Sequence, residues 1–149
     1  MVGEEAGRVV SFFHVGELHP WMDRFVESVK EHFDLPLVQM TDLETRKLQG
    51  VDRVIRMECE KKDGKSMIAY PRMLHLAKAP FEENLHLDTD VIVKRNVEEV
   101  FENEFDVALT GDRKRSPHKF YNSGVMFSRG DAFWWAYDRD WETITSVSR

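Results

Sequence analysis

The sequence predicts an α/β sandwich built around a mostly parallel central sheet. Three observations lead there: short apolar runs of strand length bounded by turn residues, an amphipathic helical pattern between the first two of them, and aspartates at the ends of two later runs. In open α/β sheets ligands bind beyond the carboxyl ends of the strands. Asp88, Asp90 and Asp112 all fall at such ends.

Arg8 to Val15 carries Val9, Val10, Phe12, Phe13 and Val15 in a compact run ending at Gly16, which suits a central strand. From Pro20 to Phe33, Met22, Phe25, Val26, Val29 and Phe33 recur at helical spacing with Asp23, Glu27 and Lys30 on the other face. Leu37 to Met40 and Val51 to Met57 follow as strands, and Lys61-Lys62-Asp63-Gly64 reads as a turn. Ser66 to Ala79 reads as a helix with Pro71 near its first turn. After the strand that ends at the aspartates, Val97 to Phe101 is a helical turn, Phe105 to Leu109 a strand, and Tyr121 to Ser128 the last strand.

The chain has 149 residues, 42% of them hydrophobic, enough for one domain with a real core. No apolar run is long enough to span a bilayer, and the acidic start Met1 to Arg8 lacks the order of a signal peptide, so a soluble cytoplasmic protein is expected. A net charge of −6 disfavours broad capture of nucleic acid. The basic cluster Arg113-Lys114-Arg115 reads as a solvated loop. Cys59 is the only cysteine, which excludes an internal disulfide and a thiolate metal cluster.

The stretch Asn84-Leu85-His86-Leu87-Asp88-Thr89-Asp90-Val91-Ile92-Val93 is the most informative. Carboxylates two apart at the end of an extended run share a side, and hard divalent cations prefer oxygen ligands. An Asp-x-Asp triplet alone is common, and Asp138-Arg139-Asp140, in a polar, tryptophan-rich segment, reads as a solvated face. The first pair differs in closing an apolar run, where carboxylates are costly unless paired or metal-bound. His86 reads as a packing residue and His118 as a surface one, while Trp134, Trp135, Tyr137 and Trp141 suit a packing helix.

Tyr70-Pro71-Arg72-Met73-Leu74, then Leu85 to Val93, then Asn96 to Phe101, together with Tyr121-Asn122-Ser123-Gly124-Val125-Met126-Phe127, resemble in order and spacing the glycosyltransferases of the GT-A fold, family 8 most of all. The resemblance covers about half the chain. It implies a Rossmann-like nucleotide-diphospho-sugar transferase fold. It also implies a metal-dependent transfer of a sugar from a nucleotide-diphosphate donor, a UDP-sugar first among them, to a hydroxyl acceptor. Asp88 and Asp90 would hold Mn2+ or Mg2+ on the diphosphate, with Asp88 also facing ribose or sugar. Arg72 would reach phosphate or sugar oxygens, Asn122, Ser123 and Gly124 would bind the donor sugar, and Asp112 would orient the acceptor hydroxyl as the catalytic residue.

The family's later histidine-containing motif, which completes metal coordination, has no counterpart before Arg149, so the site reads as incomplete and the chain as a fragment, a truncated form or a minimal relative. A non-catalytic nucleotide-sugar-binding module or partner subunit is the alternative. A phosphohydrolase ranks last, because the first strand ends in Val15-Gly16-Glu17 rather than an aspartate nucleophile. The segment Val15 to His19 carries no evident base-recognition signature.

Overall fold

The structure, a computed structural model, describes residues 7–59, 61–62, 65–66, 81–111 and 121–130, with backbone alone for 61–62, 65–66 and 121–123. The helix expected over Ser66 to Ala79 and the residues Arg72, Asp112, Arg113 to Arg115, His118, Trp134, Trp135, Tyr137, Asp138, Asp140 and Trp141 lie outside the described residues, apart from Ser66 itself, which is in a strand.

The chain begins with β1 (Arg8–Phe13), buried at all but its first residue. It ends two residues before the apolar run does. There the Thr41 hydroxyl donates to the His14 carbonyl at 2.6 Å, and the backbone turns through Gly16 at φ 103°. Helix α1 (Trp21–His32) follows, with Met22, Phe25, Val26 and Val29 turned inward as their spacing requires. Pro20 starts it, supplying a fixed φ where no amide partner is needed; the Phe33 amide closes it on the Val29 carbonyl at 2.9 Å. Pro36 then keeps Leu35 out of the helical region and feeds β2 (Leu37–Thr41).

The turn into β3 (Arg53–Arg56) passes through Gly50 at φ 85°, where a Cβ would lie 2.8 Å from Val26 Cγ1. β3 is shorter than the apolar pattern from Val51 to Met57 because Val51 is engaged in the turn, its amide on the Leu48 carbonyl at 3.3 Å. Where the sequence reads as a turn, β4 (Lys61–Lys62) pairs antiparallel with β5 (Lys65–Ser66). Strand β6 (Glu83–Leu87), a 3-10 helix (Glu98–Glu102), β7 (Val107–Gly111) and β8 (Tyr121–Arg129) complete the described elements.

Six strands form one sheet in the order β3-β2-β1-β6-β8-β7. β1 is parallel to both β2 and β6, β2 to β3, and only β8 runs against its neighbours β6 and β7. The expected mostly parallel α/β architecture is therefore present. Strand alternation sends Val10, Phe12, Leu85, Leu87 and Phe127 to the face covered by α1, and Val9, Val38, Met40 and Met126 to the other.

Polar residues also enter that second face. Ser11 and His86 are paired across β1 and β6, and the Ser11 hydroxyl shares a 3.0 Å hydrogen bond with Nδ1 of the buried imidazole. Asn84, two residues back, is 3% exposed, and among the described residues neither of its amide atoms has a hydrogen-bond partner. At the amino ends of the strands Glu83 bridges two arginines, accepting from Arg8 at 2.6 Å and from Arg129 at 3.2 Å. Those guanidinium groups lie over the Phe101 and Phe105 rings, each 4.6 Å from a centroid, which locks the 3-10 helix region to the sheet.

Candidate functional site

Because the chain leaves β1 toward β2 on one side and returns to β6 on the other, the connections diverge between β1 and β6. In such sheets the carboxyl ends at that divergence are the usual ligand position. β6 delivers Asp88 to it directly. Since β8 is antiparallel, its first residues rather than its last reach the same edge, and so does the end of β7 at Gly111.

Asp88 is half-buried and Asp90 exposed. Strand β6 stops at Leu87, and Thr89-Asp90 form a turn closed by the Val91 amide on the Asp88 carbonyl at 3.2 Å. The alternation of an extended strand therefore does not set where the Asp90 side chain points; the turn does. The Asp88 amide donates to the Gly124 carbonyl at 2.9 Å, one step beyond the pairing of Leu87 with Val125. On the far side of β8 the ladder steps from Leu109–Met126 to Thr110–Asn122, so Ser123 to Val125 form a bulge. Two of the separately read motifs, the aspartate pair and the Asn122 to Gly124 block, are thus joined by a backbone hydrogen bond. The side chains of Asn122 and Ser123, like Arg72 and Asp112, are outside the described residues.

Beyond Asp90 the chain stays irregular until the 3-10 helix. The Val93 amide donates to the Ser28 hydroxyl of α1 at 3.1 Å, and the Asn96 amide group donates to the His32 carbonyl at 3.1 Å. An apolar cavity of about 290 Å³ opens beside the turn, lined by Leu87, Val91, Ile92, Val93 and Val125 among others.

The segments that follow β1 and β2 at this edge are tied together by short polar contacts. The Gly16 amide donates to the Thr45 hydroxyl at 2.8 Å, Asp42 Oδ1 accepts from the Thr45 amide at 2.7 Å, and the Arg56 guanidinium donates to the carbonyls of Asp42 and Thr45, each at 2.8 Å. His14 Nε2 donates to the Glu17 carbonyl at 2.7 Å. Burial, joined by the neighbouring His19, holds the His14 imidazole below its ordinary pKa, against the raising effect of that bond. The linear sequence showed no recognition signature at Val15 to His19, yet folding assembles three rings there. His19 stacks on Trp21 with centroids 4.3 Å apart, and His14 meets His19 edge-on at 5.7 Å. Trp21 is 49% exposed.

Cys59 lies with Asp42, Glu44 and Glu58 in a separate depression. Burial first, then the Asp42 charge, pushes its thiol above the ordinary value and keeps it protonated and poorly nucleophilic.

Asp88, half-buried, and Asp90, exposed, carry carboxylates at this edge, the oxygen donors that hard divalent cations prefer. Among the described residues no group of three or more histidine, cysteine or acidic side chains converges on one point. The pair suits Mg2+ or Mn2+, since Mg2+ in particular keeps several waters and needs few protein ligands. Sequence reading passed over Ser28, Ser11 and the His14–His19–Trp21 group. The available signals were a serine interrupting the apolar face of α1 and polar residues inside two buried strands.

No protein-family model matches the chain, and no curated protein matches it in sequence. The fold is similar to that of the apo-form glycosyltransferase GlyE of Streptococcus pneumoniae TIGR4, with a TM-score of 0.62 and 16% identity over 95% of this chain and 38% of that one. A further GlyE structure from the same organism gives a TM-score of 0.63 and 15% identity over 97% of this chain and 39% of that one. The chain spans about two fifths of the length of these structures. At such identity the likeness is one of fold alone.

Proposed function

We propose that this chain forms the donor-binding part of a metal-dependent glycosyltransferase. The observation that carries the reading is the meeting of Asp88 with Gly124 at the carboxyl edge of the sheet, where β1 and β6 diverge. The fold shared with GlyE supports it.

In this reading Asp88 and Asp90 hold a Mn2+ or Mg2+ ion, which neutralises charge on a departing nucleoside diphosphate. Asp88, fixed by its amide, sets one side of the donor pocket. Asn122, Ser123 and Gly124 take the sugar, Arg72 reaches the phosphates, and Asp112 orients the acceptor hydroxyl. GT-A family 8 and a UDP-sugar are the preferred assignments, on the motif order already described.

The test is thermal unfolding with UDP and with GDP, each with and without Mn2+, for the native protein, Asp88→Asn and Asp90→Asn. A ligand at a hundredfold excess over its Kd stabilises the folded state by about 2.7 kcal/mol. A nucleotide shift that needs Mn2+ and disappears in both variants is expected. No shift with either nucleotide, or one indifferent to both substitutions, overturns the reading. Release of sugar from a UDP-sugar by the native protein then separates an enzyme from a binding module.

A further inference from the structure

We infer that Ser28, on α1, is a positioning residue for the aspartate loop, a role that rests on the donor-site reading above. Ser28 is 7% exposed within the apolar face that Phe25, Val26 and Val29 define. A hydroxyl in such a place must find partners for both its proton and a lone pair. It donates to the Phe25 carbonyl at 2.8 Å, a bond within its own helix, and accepts from the Val93 amide at 3.1 Å. The first bond fixes the hydroxyl and the second fixes the loop.

The consequence is geometric. The Asp88 amide is held by Gly124 before the turn, and the Val93 amide by Ser28 after it. Asp90 is exposed between these two anchors, so its position depends on both ends being held. The Asn96 amide group, donating to the His32 carbonyl at 3.1 Å, secures the loop a second time on the last turn of α1. Helix α1 is thus the template against which the loop is set, and metal ligands set in advance bind without the cost of ordering the loop.

The experiment compares the native protein with Ser28→Ala, Ser28→Thr and Val26→Ala. It reads the Mn2+ concentration that half-develops the UDP-dependent thermal shift, and amide hydrogen exchange of residues 88–96 in the ligand-free protein. Ser28→Ala is expected to raise the half-point about three- to tenfold, the worth of one neutral hydrogen bond, and to speed exchange in that segment. Ser28→Thr, whose hydroxyl can keep the bond to the preceding helical turn, restores both. Val26→Ala, which removes buried apolar contact from the same helix, lowers stability and leaves the half-point unchanged.

An unchanged half-point in Ser28→Ala, or one that rises equally in Val26→Ala, overturns the inference. Absence of any Mn2+ and UDP response in the native protein defeats the donor-site reading instead. Exchange then decides alone whether Ser28 holds the loop, and native-like protection of Val93 in Ser28→Ala sinks it.

Discussion

The amide of Asp88 donates to the carbonyl of Gly124 across 2.9 Å, joining the end of a parallel strand to the bulged start of an antiparallel one. This bond places the half-buried carboxylate by backbone, independently of any metal. Asp90 is exposed, and among the described residues no hydrogen bond holds its side chain. Asp90→Ala is therefore expected to change unfolding free energy by no more than about 0.5 kcal/mol while removing the Mn2+-dependent nucleotide shift. Urea titration and thermal shift on the same variant check both halves.

Asn84 occupies a buried position with neither amide atom hydrogen-bonded among the described residues. Replacing an unpaired polar group by an apolar one of similar shape removes a desolvation cost of about 1–3 kcal/mol. Asn84→Leu should raise the denaturant midpoint, and a lower midpoint would mean that the amide is doing something the fold requires.

Gly50 combines φ 85° with Val26 Cγ1 only 2.8 Å from where a Cβ would stand. Gly50→Ala is expected to destabilise the chain by about 1–3 kcal/mol, through backbone strain and displacement of a core side chain. Pairing it with Val26→Ala, which vacates the space, should recover part of the loss in a double-mutant cycle.

Glu83 holds Arg8 and Arg129 at once and is itself about a quarter exposed. Glu83→Gln leaves Arg8 with Glu98 as its remaining carboxylate and Arg129 with the Asn103 and Phe105 carbonyls, at the edge where β1 begins and β8 ends. A loss of about 1–3 kcal/mol is expected, greater than for either arginine changed singly to a neutral partner. Equilibrium unfolding at 0.1 M and 1 M salt would separate the charge contribution from packing.

The folded chain prefers a neutral His14, whereas the unfolded chain takes up a proton near pH 6.5. The unfolded state thus binds more protons between the depressed native value and about 6.5, so stability falls as pH drops through that window and levels off below it. His14→Gln should flatten the fall, measured as the difference in urea midpoint between pH 7.5 and pH 5.5 for the two proteins.

The parts of the fold that announce themselves in the sequence are those where burial imposes a period. Met22, Phe25, Val26 and Val29 mark α1, and the apolar runs mark β1, β2 and β8 to within a few residues. The hairpin at Lys61 to Ser66 escapes because two-residue strands of lysine carry no alternation, although Asp63-Gly64 is a strong hairpin turn signal. At the site, the aspartates and the Asn122 to Gly124 block were visible as motifs. Their meeting was not, because it depends on β8 lying antiparallel beside β6, and pairing between distant segments has no local signature. Ser28 was hidden for a related reason: its partner Val93 is 65 residues away.

The central strand β1 imposes an order of assembly. Its pairing with β2 needs only the intervening α1, whereas its pairing with β6 joins residues 75 positions apart, as Ser11 and His86 show. During synthesis β1, α1, β2 and β3 can condense while the opposite edge of β1 is still open, and nearby contacts form faster than distant ones. The nascent chain thus passes through a stage in which a hydrophobic strand displays an unpaired backbone, an invitation to misassociate that ends only when β6 emerges. Arrival of β6 closes that edge and brings Asp88 to the carboxyl ends of the sheet, and β8, later in the chain, then supplies the Gly124 carbonyl that fixes it, so the last strand to pair is also the one that sets the aspartate turn.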